Sequence, residues 1–170
     1  MFAVRQAKLP PDALLQKYVA SGDYTDCFVA EMDRQASFAD YIEAFYTTCV
    51  FKAERAILKW AVSKPSTDAE AHCLAAGALA SFAAWQVEER GENQLLLTDF
   101  RGRTRSWLML ETGEYETSRL FFGSAVIRDI EGKTGKQRLS QGFGLLLGFH
   151  KLYSRILLSS ARSRLLRMSS

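Results

Sequence analysis

Residues 83–127 read AAWQVEERGENQLLLTDFRGRTRSWLMLETGEYETSRLFFGSAVI, and the fold turns on how this stretch is read. Four runs in it, AAWQVEER, QLLLTDF, TRSWLML and SRLFFGSAVI, are apolar and rich in side chains that suit a pleated surface. RGEN, RGR and ETGEYET separate them, each with a glycine of the kind a hairpin turn wants. Connectors this short join antiparallel neighbours, so the stretch predicts a four-strand meander over 82–128. In WLML and LFFGSAVI both faces are apolar, more than a sheet with one wet face needs. Either another layer or another subunit must cover the outer face.

Working upstream, YTDCFVAEM predicts a strand at 24–32. Before it, LPPDALLQKYVAS reads as a short helix with Pro10 and Pro11 at its entrance and Gly22 near its exit. From Ser37 the apolar spacing becomes helical. Phe38, Tyr41, Ile42 and Phe45, then Phe51, Ile57, Leu58 and Ala61, predict helices at 38–48 and 51–63. Thr67 with Glu70 forms a capping-box signature, so a third helix is expected over 68–81. Gly77 would be interior to it, at a cost of ~1 kcal/mol against alanine. Downstream, EGKTG reads as a loop before a closing helix at 138–166. The expectation is one α+β domain spanning 1–170: a curved antiparallel sheet wrapped around a long C-terminal helix, with two or three helices inserted after the first strand.

Composition agrees with a globular chain, at 48% apolar and 24% charged residues. Cys27, Cys49 and Cys73 form no CxxC pair, and MFAVRQAKLPPD lacks the apolar core of a secretory signal. The expectation is three reduced thiols, mostly packed as small hydrophobes, in a cytoplasmic protein. The net charge of +3 is uneven: no acid follows Glu131, whereas residues 132–170 carry eight bases. A basic end suits an anionic partner, and equally a helix C-terminus whose cations complement the macrodipole.

The closing segment GFGLLLGFHKLYSRILLSSARSRLLRM (142–168) decides between these. Its uncharged run, 139–149, is far short of the ~20 residues a membrane span needs. Phe143, Leu146, Phe149, Tyr153, Ile156 and Leu157 form a stripe at helical spacing, with Lys151, Ser154, Arg155 and Arg162 opposite. The sheet needs a cover, so the segment is expected to be a core helix packed on it.

Motifs for chemistry are sparse. EGKTGKQR lacks the first glycine of a phosphate loop, whose place is taken by Ile127, and GFG at 142–144 has Leu147 where a dinucleotide fingerprint needs its third glycine. His72 and His150 are the only histidines, and His72 and Cys73 would point ~100° apart on a helix. No metal or cofactor is expected, and no catalytic residue. RGRTRSW is a basic hairpin tip, but Glu88, Glu89, Glu92 and Asp99 lie on adjoining strands to pair with it, so no nucleic-acid partner is expected. Arg105 shares a strand face with Trp107. If that face is inward, Arg105 lines a cavity and requires an anionic partner, protein or ligand.

FAAWQVEE, QLLLTDF, GRTRSWLMLE, FGSAVI and GFHKLYSRILLSSARSRL together resemble a domain family often fused to short-chain-dehydrogenase-like oxidoreductases and related to the helix-grip superfamily of START and polyketide-cyclase type (SRPBCC). The resemblance covers residues 82–165, with Gly148 where the family's closing Pro-Phe-His helix has proline. It implies a helix-grip fold with a hydrophobic cavity between sheet and last helix, in domains that mostly bind or carry apolar ligands. The expected function is binding of an apolar or amphipathic small molecule by Trp85, Arg105, Trp107, Phe122, Phe149 and Tyr153. The alternatives are a weak lyase, hydrolase or cyclase using Arg105 and His150, and a non-catalytic interaction protein forming a homodimer through the sheet.

Overall fold

A computed structural model of the chain describes residues 4–53, 66–127 and 141–168, the side chains of 141–150 excepted. Most of the helix expected at 51–63, the loop after residue 127 and the start of the closing helix at 138–140 lie outside the described residues, as do the side chains of Phe143, Leu146, Phe149 and His150.

The protein is α+β. Its elements run β1 (Arg5–Gln6), α1 (Gln16–Ala20), β2 (Tyr24–Met32), α2 (Phe38–Tyr46), α3 (Asp68–Ala75), β3 (Ser81–Phe82), β4 (Trp85–Arg90), β5 (Gln94–Asp99), β6 (Thr104–Thr112), β7 (Ser118–Val126) and α4 (Gln141–Met168). All the strands pair antiparallel in one sheet of seven, ordered β1-β2-β7-β6-β5-β4-β3. Five strands were expected from periodicity. The additional two, β1 and β3, are two-residue edges too short to carry a period, and short edges limit pairing with other chains.

Caps explain the helix boundaries. Ser37 Oγ accepts from Asp40 N at 3.0 Å and starts α2. Thr67 and Glu70 form the reciprocal capping box that starts α3. Helix α3 stops six residues earlier than the apolar pattern suggests. Gly77 is not interior: at φ +76° it terminates the helix, with Gly77 N donating to Leu74 O and Ala78 N to Cys73 O. Thr48 bridges two elements, donating through Oγ1 to Phe45 O and accepting from Phe51 N as residues 49–53 turn helical.

The sheet is buried on both faces. One face carries Phe28, Ala30, Met32, Leu95, Leu97, Leu108, Leu110, Leu120 and Phe122, packed against α2, α3 and the second half of α4. The Tyr41 hydroxyl ties α2 to this sheet by donating to Phe121 O at 2.9 Å. The other face carries Cys27, Val29, Leu96, Trp107, Met109, Phe121 and Ala125, under Leu9, Ala13, Leu14, Leu15 and Tyr18. The N-terminal segment is therefore the second layer that the two-sided apolar strands demand. Its helix is five residues rather than the longer one expected, because the sheet takes backbone groups a helix would use. Ala7 N donates to Cys27 O, Leu14 N donates to Gln94 Oε1, and Gln94 Nε2 donates to Asp12 O.

Candidate functional site

Three of the six expected ligand-contacting residues lie on the helix-bearing side. Phe122, on β7, is buried there, with its ring 4.9 Å from Phe45 of α2. Trp85 of β4 and Tyr153 of α4 are half-buried against the same core. The Trp85 indole Nε1 is enclosed without a hydrogen-bond acceptor among the described residues. A buried donor in that state costs about 1–3 kcal/mol, so it needs an explanation such as an acceptor brought by something else. The side chain of Phe149 lies outside the described residues.

A polar strip missed by sequence reasoning crosses the same face. Asp26, Ser124 and Ser106 are register partners across β2, β7 and β6, at even positions like Phe28, Phe122 and Leu108. All three are buried, Asp26 at 4% exposure. Ser124 donates to Asp26 Oδ1 through both its backbone N, at 3.0 Å, and its hydroxyl, at 2.7 Å. Tyr24 donates to Asp26 Oδ2 at 3.4 Å, and burial with the adjacent carboxylate pushes its phenol up to about 12. The next partners along the row, Leu97 and Val87, are apolar, so the strip has one hydrogen-bonding end and one greasy end. The signal in the sequence was a polar residue at the inward phase of each of three apolar strands.

Arg105 and Trp107 stand on the opposite face, which corrects their expected place in a cavity under the last helix. WLML is apolar at every position, so alternation alone leaves open which phase faces the helices, and Leu108 rather than Trp107 does. Trp107 is wholly buried beneath the N-terminal layer, and its Nε1 donates to Gln94 Oε1 at 2.9 Å. Arg105 does find an anionic partner, and it is a protein acid. Its Nε lies 2.5 Å from Glu88 Oε2 and 2.7 Å from the Tyr18 hydroxyl, with its guanidinium over the Tyr18 ring.

A β-bulge makes this cluster. Val87 pairs Leu97 and Glu89 pairs Leu96, so Glu88 is the extra residue. Lys17 reaches both Glu88, at 2.7 Å, and Glu89, at 3.1 Å, which places both carboxylates on the N-terminal-layer side. Burial alone would raise the Glu88 carboxyl. The hydrogen bonds from Lys17 and Tyr18 and the charge of Arg105 outweigh it and hold the group below its usual range. Arg105 is thus consumed by structure.

The remaining reactive side chains are dispersed. Cys27 is buried, its thiol pushed up to about 12 by burial and by Asp26 beside it. Cys73 is half-buried, and Cys49 is exposed rather than packed. His72 sits on the surface with Nδ1 2.8 Å from Glu43 Oε2. Among the described residues no helix is long and apolar enough to cross a membrane. No protein-family model matches the chain, and no curated protein matches it.

Proposed function

We propose that the protein binds an amphipathic small molecule on the helix-bearing side of the sheet, in a helix-grip arrangement. The layout supports the fold reading: the first long strand, β2, pairs with the last, β7, helices α2 and α3 follow directly after β2, and α4 crosses the same face. The observation that carries the binding reading is the strip Asp26–Ser124–Ser106, a hydrogen-bonding floor in an otherwise apolar surface. Trp85, with its unmatched Nε1–H, supplies an aromatic wall, and Phe122 and Tyr153 belong to the same core. The polar anchor is then Asp26 in place of Arg105, which changes the ligand. A buried carboxylate disfavours an acid and favours a hydroxyl or ammonium group at the polar end.

Tryptophan emission titrated with alkyl amines, alcohols and carboxylic acids of equal chain length tests this. Amines and alcohols should give a saturable change and raise the melting temperature, because a ligand bound only to the native state stabilises by mass action. The acids should bind at least about tenfold more weakly. Asp26→Asn should narrow that gap, and Trp85→Phe should remove most of the emission change. Equal response to acids and amines, or none to any, refutes the reading.

A further inference from the structure

The fold and the site above leave some of the basic excess of the closing helix unused. Part of it is engaged: Arg162 Nε donates to Glu31 O at 2.7 Å, and Arg155 lies over the Phe28 ring. Arg164 and Arg167 behave differently. They line a cavity of about 220 Å³ between Thr48, where α2 gives way to the next helical turn, and the last turns of α4. Ser159, Ser160 and Ser163 complete the α4 wall.

Four observations converge on this cavity. First, among the described residues neither arginine forms an ion pair, and no acid lines the cavity. Second, Arg164 Nε is buried without an acceptor among the described residues, although a guanidinium has five donors and a high cost when they are left unmatched. Third, the hydroxyls of Ser159, Ser160 and Ser163 make no hydrogen bond among the described residues, whereas helical serines commonly bond back to their own turn. Fourth, α4 contributes no acid anywhere along its length, so nothing on that wall competes for the arginines. A guanidinium fork with convergent hydroxyls matches a tetrahedral oxyanion, which offers several acceptors and no fixed donor.

We infer that this cavity is an oxyanion site, taking the phosphate or sulfate group of a small molecule through Arg164, Arg167 and the serine hydroxyls. It is independent of the strip on the sheet. The probes are orthophosphate, a short-chain alkyl phosphate and vesicles containing phosphatidic acid, each added to the full chain at constant ionic strength with chloride as the reference. Calorimetry should show saturable phosphate binding, weakened roughly tenfold or more by Arg164→Gln and by Arg167→Gln, with Ser163→Ala weaker in effect. Arg155→Gln, on the same helix but outside the cavity, should leave it unchanged. The melting temperature of each variant in chloride separates lost binding from lost folding. If the vesicles also sediment the protein in an Arg164-dependent way, the phosphate belongs to a lipid headgroup; if only the soluble phosphates bind, it belongs to a free metabolite. Binding to none of the probes, or binding indifferent to Arg164 and Arg167, overturns the inference.

Discussion

Replacing Gln94 by leucine should destabilise the protein by about 3 kcal/mol, although a polar side chain would be leaving a buried site. Gln94 is 7% exposed, and its amide engages three partners. Its Oε1 accepts from Trp107 Nε1 at 2.9 Å and from Leu14 N at 2.9 Å, and its Nε2 donates to Asp12 O at 3.0 Å. The substitution orphans the Trp107 donor, which is wholly enclosed, at about 2–3 kcal/mol, and the Leu14 N–H, only partly buried, at about 1 kcal/mol. Asp12 O can turn to water. The added apolar surface returns roughly 1 kcal/mol. Urea denaturation followed by tryptophan emission measures the difference, with the slope unchanged because the same surface unfolds. In a Trp107→Phe background the donor is already gone, so Gln94→Leu should cost about 2–3 kcal/mol less, and that coupling isolates the tryptophan bond. A single-mutant cost under about 1 kcal/mol, or no coupling, would mean that Gln94 does not anchor the N-terminal layer.

Gly123→Ala should cost about 1–3 kcal/mol in thermal melts, because its new Cβ would sit 2.7 Å from Asp26 O, a backbone atom, and 3.0 Å from buried Trp107 Cε3; a neutral result would mean that β2 and β7 separate more easily than their nine-pair register implies. Acid sensitivity should trace partly to Glu88. Its folded carboxyl is held below the unfolded value, so its stabilisation is complete above that unfolded value, near pH 4.5, and drains away as pH falls through the folded one. Glu88→Gln should flatten that part of the acid limb, measured as stability against pH, and an unchanged limb would exclude the cluster as its source.

Features set by neighbours in sequence were legible, and those set by pairing partners were not. The capping box at Thr67 and Glu70, the strand at 24–32 and the meander all rest on local spacing. Gly77 was legible only as a glycine, since the alanines after it continue the apolar pattern and hide a terminator as an interior cost. The strip of Asp26, Ser124 and Ser106 joins residues as far as 98 apart in the chain, so no window along the sequence contains it. The Glu88 bulge is hidden for the same reason: strict alternation would send Glu88 and Glu89 to opposite faces, and only the register shift against β5 turns both toward Lys17.

The closing helix shows how volume overrides hydrophobicity in choosing a buried face. Its largest apolar residues suggested the packing stripe, yet Ile156 is 44% exposed while Ser154, Leu157, Leu158, Ala161 and Leu165 are buried. Phe28, Phe45, Phe122 and Tyr41 belong to the same buried cluster and put bulky rings between α2 and the sheet. Close packing at interior density then leaves room for small groups along the line of contact, and Ser154 and Ala161, seven residues apart, provide them. The same rotation that brings this small-residue line inward carries Ile156 outward and sets Ser159, Ser160, Ser163, Arg164 and Arg167 around a cavity beside Thr48. The aromatic crowding of the core and the oxyanion pocket inferred at its edge are in this sense one consequence: bulky side chains on the sheet and α2 fix the phase of α4, and that phase decides which of its arginines face a cavity.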